Sequence, residues 1–169
     1  MIFNTKIDFL NSCPNGRLIA LDVGTKNIGV AITDDTRRIT TPIETISRKG
    51  NKKDFPIILN LIKEKKVKGI IIGLPLSFDE SENESSLFIR RFTENLLKEV
   101  IIPVFFQDER LSSFEAEDLM LDSIGFNETK KVVDKIAASY ILESFLAGWS
   151  LLVFIVIARL WKSRGNPYY

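Results

Sequence analysis

Between residues 18 and 33 the hydrophobic positions fall into two alternating runs. Ile19, Leu21 and Val23 share one face and Leu18, Ala20 and Asp22 the other, and both faces are otherwise apolar, so the first run predicts a central strand that ends in a carboxylate. Gly24-Thr25-Lys26-Asn27 supplies turn chemistry and Ile28, Val30 and Ile32 restore the period of two, which predicts a β-hairpin with Asp22 at its bend. Residues 39–46 predict a third antiparallel strand, which Pro42 assigns to a sheet edge. The period then lengthens. A helix capped by Asp54, with Pro56 in its second position and Ile58, Leu61 and Ile62 inward, leads to a strand over 69–73. A capping box of Ser81 and Glu84 opens a helix striped by Phe88, Phe92 and Leu96, and a strand over 102–106 follows. Ser112 and Glu115 open another helix ending near Gly125. A last helix from near Thr129 buries Val133, Ile136, Ala137, Tyr140, Ile141 and Phe145.

The resulting string, βββαβαβαα, is α/β. Three meandering strands followed by right-handed crossovers predict a mixed five-stranded sheet of order 3-2-1-4-5 with helices on both faces. Residues 1–17 read as an extension, 18–148 as one domain, and 149–169 as an apolar and then basic tail. The formal charge of +1 places any nucleic-acid contact in local patches. One cysteine, Cys13, and an N-terminus without a continuous apolar core point to a reducing cytoplasm. The chain has no histidine, which removes Ser/His and Cys/His nucleophile pairs, histidine bases and His-ligated zinc.

An unpaired carboxylate in a buried strand is costly, so Asp22 calls for a compensating cation. The topology can bring two further carboxylates to it, Glu109 after the fifth strand and Asp134 in the last helix. The first and fifth strands lie about 10 Å apart across the fourth, so Glu109 meets Asp22 only over a vacant spot, which Gly73 provides. Oxygen ligands without imidazole or thiolate favour Mg²⁺ or Mn²⁺. A pair of such ions about 4 Å apart suits phosphodiester hydrolysis.

Four segments in order, LIALDVGTKNIGVAITD, GIIIGLPLSFDES, DERLSS with EAEDLM, and KKVVDKIAASYIL, resemble the YqgF family over residues 18 to about 148. That family is Holliday junction resolvase-like, is associated with maturation of the pre-16S ribosomal RNA end, and has an RNase H-like fold related to RuvC. The resemblance implies a metal-dependent endonuclease of structured RNA or DNA, with Asp22, Glu109 and Asp134 as catalytic metal ligands for Mg²⁺ or Mn²⁺, in two-ion form. It also implies that Thr25, Lys26, Arg110, Lys130 and Lys131 meet phosphates. Glu80 and Ser112-Ser113 depart from the family pattern without touching a proposed ligand.

Simpler readings stand beside these. Asp22 can serve a turn, Asp108 can replace Glu109, and Asp134 can favour the positive end of its helix. The basic stretch Arg48, Lys49, Lys52, Lys53, Lys63, Lys65, Lys66 and Lys68 reads equally as solvated surface or as a phosphate track. DVGTKNIGVAITD also resembles the first phosphate loop of actin and Hsp70-type ATPases, whose two-domain clamp this length does not accommodate. A noncatalytic nucleic-acid-binding protein is the third alternative. The uncharged run over 144–158 is shorter than the roughly 20 residues of a membrane span, leaving burial, a homodimer interface or a membrane-surface anchor open.

Overall fold

The computed structural model describes residues 1–75, 83–108 and 134–147. In chain order the elements are β1 (Ile2–Phe3), α1 (Lys6–Ser12), β2 (Leu18–Val23), β3 (Asn27–Thr33), β4 (Thr40–Ser47), α2 (Asn51–Glu64), β5 (Gly69–Leu74), α3 (Glu84–Leu96) and β6 (Val104–Asp108). Residues 134–147 are helical. The strands form one sheet of order β1-β6-β5-β2-β3-β4.

The five expected strands are present in the expected order, and the strand count is corrected from five to six by β1. This two-residue strand pairs in parallel with β6, Ile2 opposite Val104 and Phe3 opposite Phe105. It is too short to carry a period of its own. β2, β3 and β4 meander antiparallel, whereas β5 and β6 run parallel to β2. Pro42 does lie on an edge strand. The register shifts beside it, Val30 opposite Glu44 and Ala31 opposite Pro42, so Ile43 is the extra residue of a bulge next to the proline, which cannot donate to the ladder.

Alternation along β2 divides the core into two layers. Ile19, Leu21 and Val23 pack with Ile58, Leu61, Phe92 and Leu96 under α2 and α3. Leu18 and Ala20 pack with Phe9, Ala138, Ile141, Leu142 and Phe145 under α1 and the helix over 134–147. Helices therefore cover both faces.

Three local expectations change. α2 begins at Asn51 behind a Gly50 cap, and Asp54, instead of capping it, is buried against Arg48. The capping box of α3 is Asn83 with Ser86, because Asn83 accepts from the Ser86 N–H and the Ser86 hydroxyl accepts in return from Asn83. In the helix over 134–147 the fully buried stripe is Ala138, Ile141, Leu142 and Phe145, whereas Ile136, Ala137 and Tyr140 are only half-buried. Ala138 shares one buried cluster with Ala20 and Ala31, so small side chains let the helix approach the sheet closely. The segment expected to form a helix over 112–125 and the apolar tail lie outside the described residues. Among the described residues no helix is long and apolar enough to cross a membrane.

Candidate active site

Asp22 lies within β2 opposite Gly29 of β3, not at the bend, which is formed by Gly24–Asn27 and closed by the Gly24 N–H to the Asn27 carbonyl at 2.9 Å. The alternation that buries Leu18 and Ala20 turns Asp22 toward the helix over 134–147. That helix reaches the sheet at Gly29. A Cβ on Gly29 would stand 1.9 Å from the Asp134 carbonyl oxygen and 2.5 Å from its carbon, so the approach requires a residue with no side chain. Asp134 thus arrives beside the strand pair that holds Asp22. The Asn27 amide Nδ2 donates to Asp134 Oδ2 at 2.8 Å and fixes its carboxylate at the mouth of the hairpin.

Asp134 acts on Asp22. Burial, and then the negative charge of Asp134, push the Asp22 carboxyl up to about 6. Two half-buried carboxylates that repel in this way are the donor chemistry of a hard divalent cation, whose charge would relieve both penalties. Among the described residues no group of three acidic or cysteine side chains closes a complete metal site. The third expected ligand, Glu109, lies outside the described residues, as do Arg110, Lys130 and Lys131.

The strands next to Asp22 show how a residue after β6 can approach it. Leu21 pairs with Ile72, so Gly73 follows beside Asp22, and Gly73 pairs with Gln107. Phe105 packs in the layer that Asp22 faces and Phe106 in the other. By that alternation Gln107 shares the Asp22 face, and Asp108 continues the opposite one. Thr25 and Lys26 are exposed in the turn next to the pair.

Arg48 is not part of a solvated basic run. Its Nε pairs with the buried Asp54 at 3.3 Å, its Nη2 donates to Asn51 at 3.1 Å and its Nη1 to the Gly24 carbonyl at 3.2 Å. Its guanidinium lies 4.9 Å from the Phe88 ring centre and 5.2 Å from that of Phe92. Together with the Arg48 N–H to the Lys26 carbonyl at 2.8 Å, these contacts lock the 24–27 turn to β4, α2 and α3. Asn27, Gly29 and Arg48 thus join the site without having been marked for it by a motif. The usable signals were a polar turn end, a glycine within a strand and an arginine six residues before an aspartate.

Residues 16–148 match the family described as "RuvX: Holliday junction resolvase". The chain belongs to the RuvX family. This is the YqgF family that the four segments resemble. A Cereibacter sphaeroides relative named "Putative pre-16S rRNA nuclease" is 39% identical over 148 residues, covering 86% of this chain and 92% of that protein. A Rhodopseudomonas palustris relative of the same name is 40% identical over 134 residues, 79% of this chain and 82% of its own. The RuvC structure of Thermus thermophilus superposes with a TM-score of 0.50 at 8% identity, over 79% of this chain and 96% of RuvC, which establishes the shared fold. Membership in the RuvX family makes the chain an enzyme of the nuclease class, a hydrolase of phosphodiester bonds.

Proposed function

We propose that this RuvX member is a divalent-metal-dependent endonuclease that cuts structured nucleic acid, most specifically the end of pre-16S ribosomal RNA. The observation that carries the metal dependence is the convergence of Asp22 and Asp134 across Gly29, with the Asp22 carboxyl raised by burial and then by its neighbour. The names of the curated relatives support this substrate. Asp22, Asp134 and Glu109 would hold Mg²⁺ or Mn²⁺, as two ions. When bound, such ions supply the positive charge that stabilises the leaving oxygen and make water a stronger nucleophile at neutral pH. Without histidine, the chain's own residues contribute the carboxylates that fix those charges, Asn27 to orient Asp134, and Thr25, Lys26, Arg110, Lys130 and Lys131 to meet phosphates.

The test compares the wild-type chain with Asp22→Asn and Glu109→Gln on a pre-16S RNA fragment and on four-way junction DNA, in Mg²⁺, in Mn²⁺ and in EDTA. Cleavage of the RNA by wild type, its abolition in EDTA, and a loss of at least about a hundredfold in each variant are expected. Equal cleavage by all three proteins would refute the assignment of the ligands. Preferential cleavage of junction DNA would replace the substrate. Thermal stabilisation by ATP without stabilisation by Mn²⁺ would favour a nucleotide-binding module.

A further inference from the structure

The basic stretch from Arg48 to Lys68 looks uniform in the sequence, but the fold divides it into two groups at opposite ends of the sheet. Lys26 occupies the turn that follows β2, and the Arg48 N–H to the Lys26 carbonyl at 2.8 Å brings the end of β4 to it. Lys49 follows at once, and Lys52 and Lys53 lie in the first turn of α2. All four lysines are exposed at the end of the sheet that carries Asp22. The other group lies about 21 Å away along the 14 residues of α2. Lys68 donates its N–H to the Arg17 carbonyl at 2.8 Å, at the start of β2, whereas Asp22 is near that strand's end.

Electrostatics separates the groups as well. Lys63 lies in the last turn of α2, with Lys65 and Lys66 just beyond, where positive charge stabilises a helix. Lys49, Lys52 and Lys53 crowd the opposite end, where positive charge is unfavourable. The acid of that first turn does not neutralise them, because Asp54 is engaged by the Arg48 guanidinium and the Lys49 N–H at 2.9 Å. Among the described residues none of the ammonium groups of Lys26, Lys49, Lys52 and Lys53 is ion-paired. Helix stability accounts for the far group and runs against the near one. The near group also shares its end of the sheet with a carboxylate pair held on the opposite face, which would repel a polyanion unless cations drew it in.

We propose that Lys26, Lys49, Lys52 and Lys53 form a ridge that holds the phosphodiester backbone of a nucleic-acid strand at the end of the sheet that carries the carboxylate pair, and that Lys63, Lys65 and Lys66 take no part in binding. This rests on the nuclease reading and gives it a substrate path. The ridge reads phosphate and not base, so RNA and DNA strands share its chemistry. Arg48, partly buried and paired, holds the ridge to the turn and does not touch the strand.

Fluorescence anisotropy on the full chain, with an RNA hairpin and a DNA hairpin of the same sequence, in EDTA and across a salt series, tests this. The variants are a near triple, K49A/K52A/K53A, and a far triple, K63A/K65A/K66A. The near triple is expected to weaken binding of both hairpins at least tenfold and to reduce the slope of log affinity against log salt by about 2 to 3. The far triple should stay within twofold of wild type. The near triple should also melt no lower than wild type, since it removes charge of unfavourable sign. Equal losses in both triples, or an unchanged salt slope in the near triple, would overturn the ridge while leaving a cleaving wild type intact. A wild-type chain that binds neither hairpin in EDTA would overturn the ridge, whereas the nuclease reading stands or falls by cleavage in Mg²⁺ or Mn²⁺. Loss confined to one hairpin would overturn the backbone as the recognised group.

Discussion

At the scale of single residues, Asp22 makes the metal-free protein sensitive to pH. Its carboxyl titrates at about 6 in the folded chain and near 3.9 when unfolded, so the folded state holds the extra proton between those values. Stability therefore falls as pH rises from about 4 to about 6 and is level above that. Asp22→Asn should remove this slope and stabilise the metal-free protein at pH 7 by about 2 kcal/mol, as measured by denaturant unfolding in EDTA from pH 4 to 8. Identical profiles for the two proteins would contradict the burial and repulsion at this site. Asp22 was legible in the sequence because a charge within an apolar strand has no inexpensive explanation. Asn27 was not, because turn chemistry already accounts for an asparagine there. Gly29 was not either, since the backbone it admits belongs to Asp134, more than a hundred residues away.

At the scale of elements, the contact between β3 and the helix over 134–147 determines whether the two carboxylates meet. Gly29→Ala places a methyl group against the Asp134 backbone and must lift that helix. A loss of about 1–3 kcal/mol in thermal unfolding is expected, with weaker Mn²⁺ binding by titration at temperatures where the variant is still folded. Unchanged Mn²⁺ affinity would separate the helix from the ligand set. Periodicity located most of these elements, but their ends were harder to read. Asp54 has the residue type of a cap, yet the Arg48 guanidinium and the Lys49 N–H compete for its oxygens. Ser81 with Glu84 and Asn83 with Ser86 both satisfy the three-residue spacing of a box, and spacing alone does not choose between them. Glu109, the remaining expected ligand, lies outside the described residues.

At the scale of the whole molecule, one aromatic cluster joins the first residues to the last described helix. Phe9, 0% exposed, has its ring centre 6.3 Å from Phe3, 5.9 Å from Phe105 and 5.7 Å from Phe145. Phe9→Ala should cost about 3–5 kcal/mol in urea unfolding, because β1, β6 and the helix over 134–147 all lose their contact with α1. A loss below about 1 kcal/mol would show that this layer does not support the fold. The central strand order was readable because right-handed crossovers leave few arrangements for these elements. The edge was not, since Ile2 and Phe3 acquire a strand's geometry only from β6. That pairing has a cost in time as well as entropy. At ribosomal speeds of roughly 5–20 residues per second, β1 waits about 5–20 s for the hundred or so residues before its partner to be synthesised, so the sheet can close only late in translation.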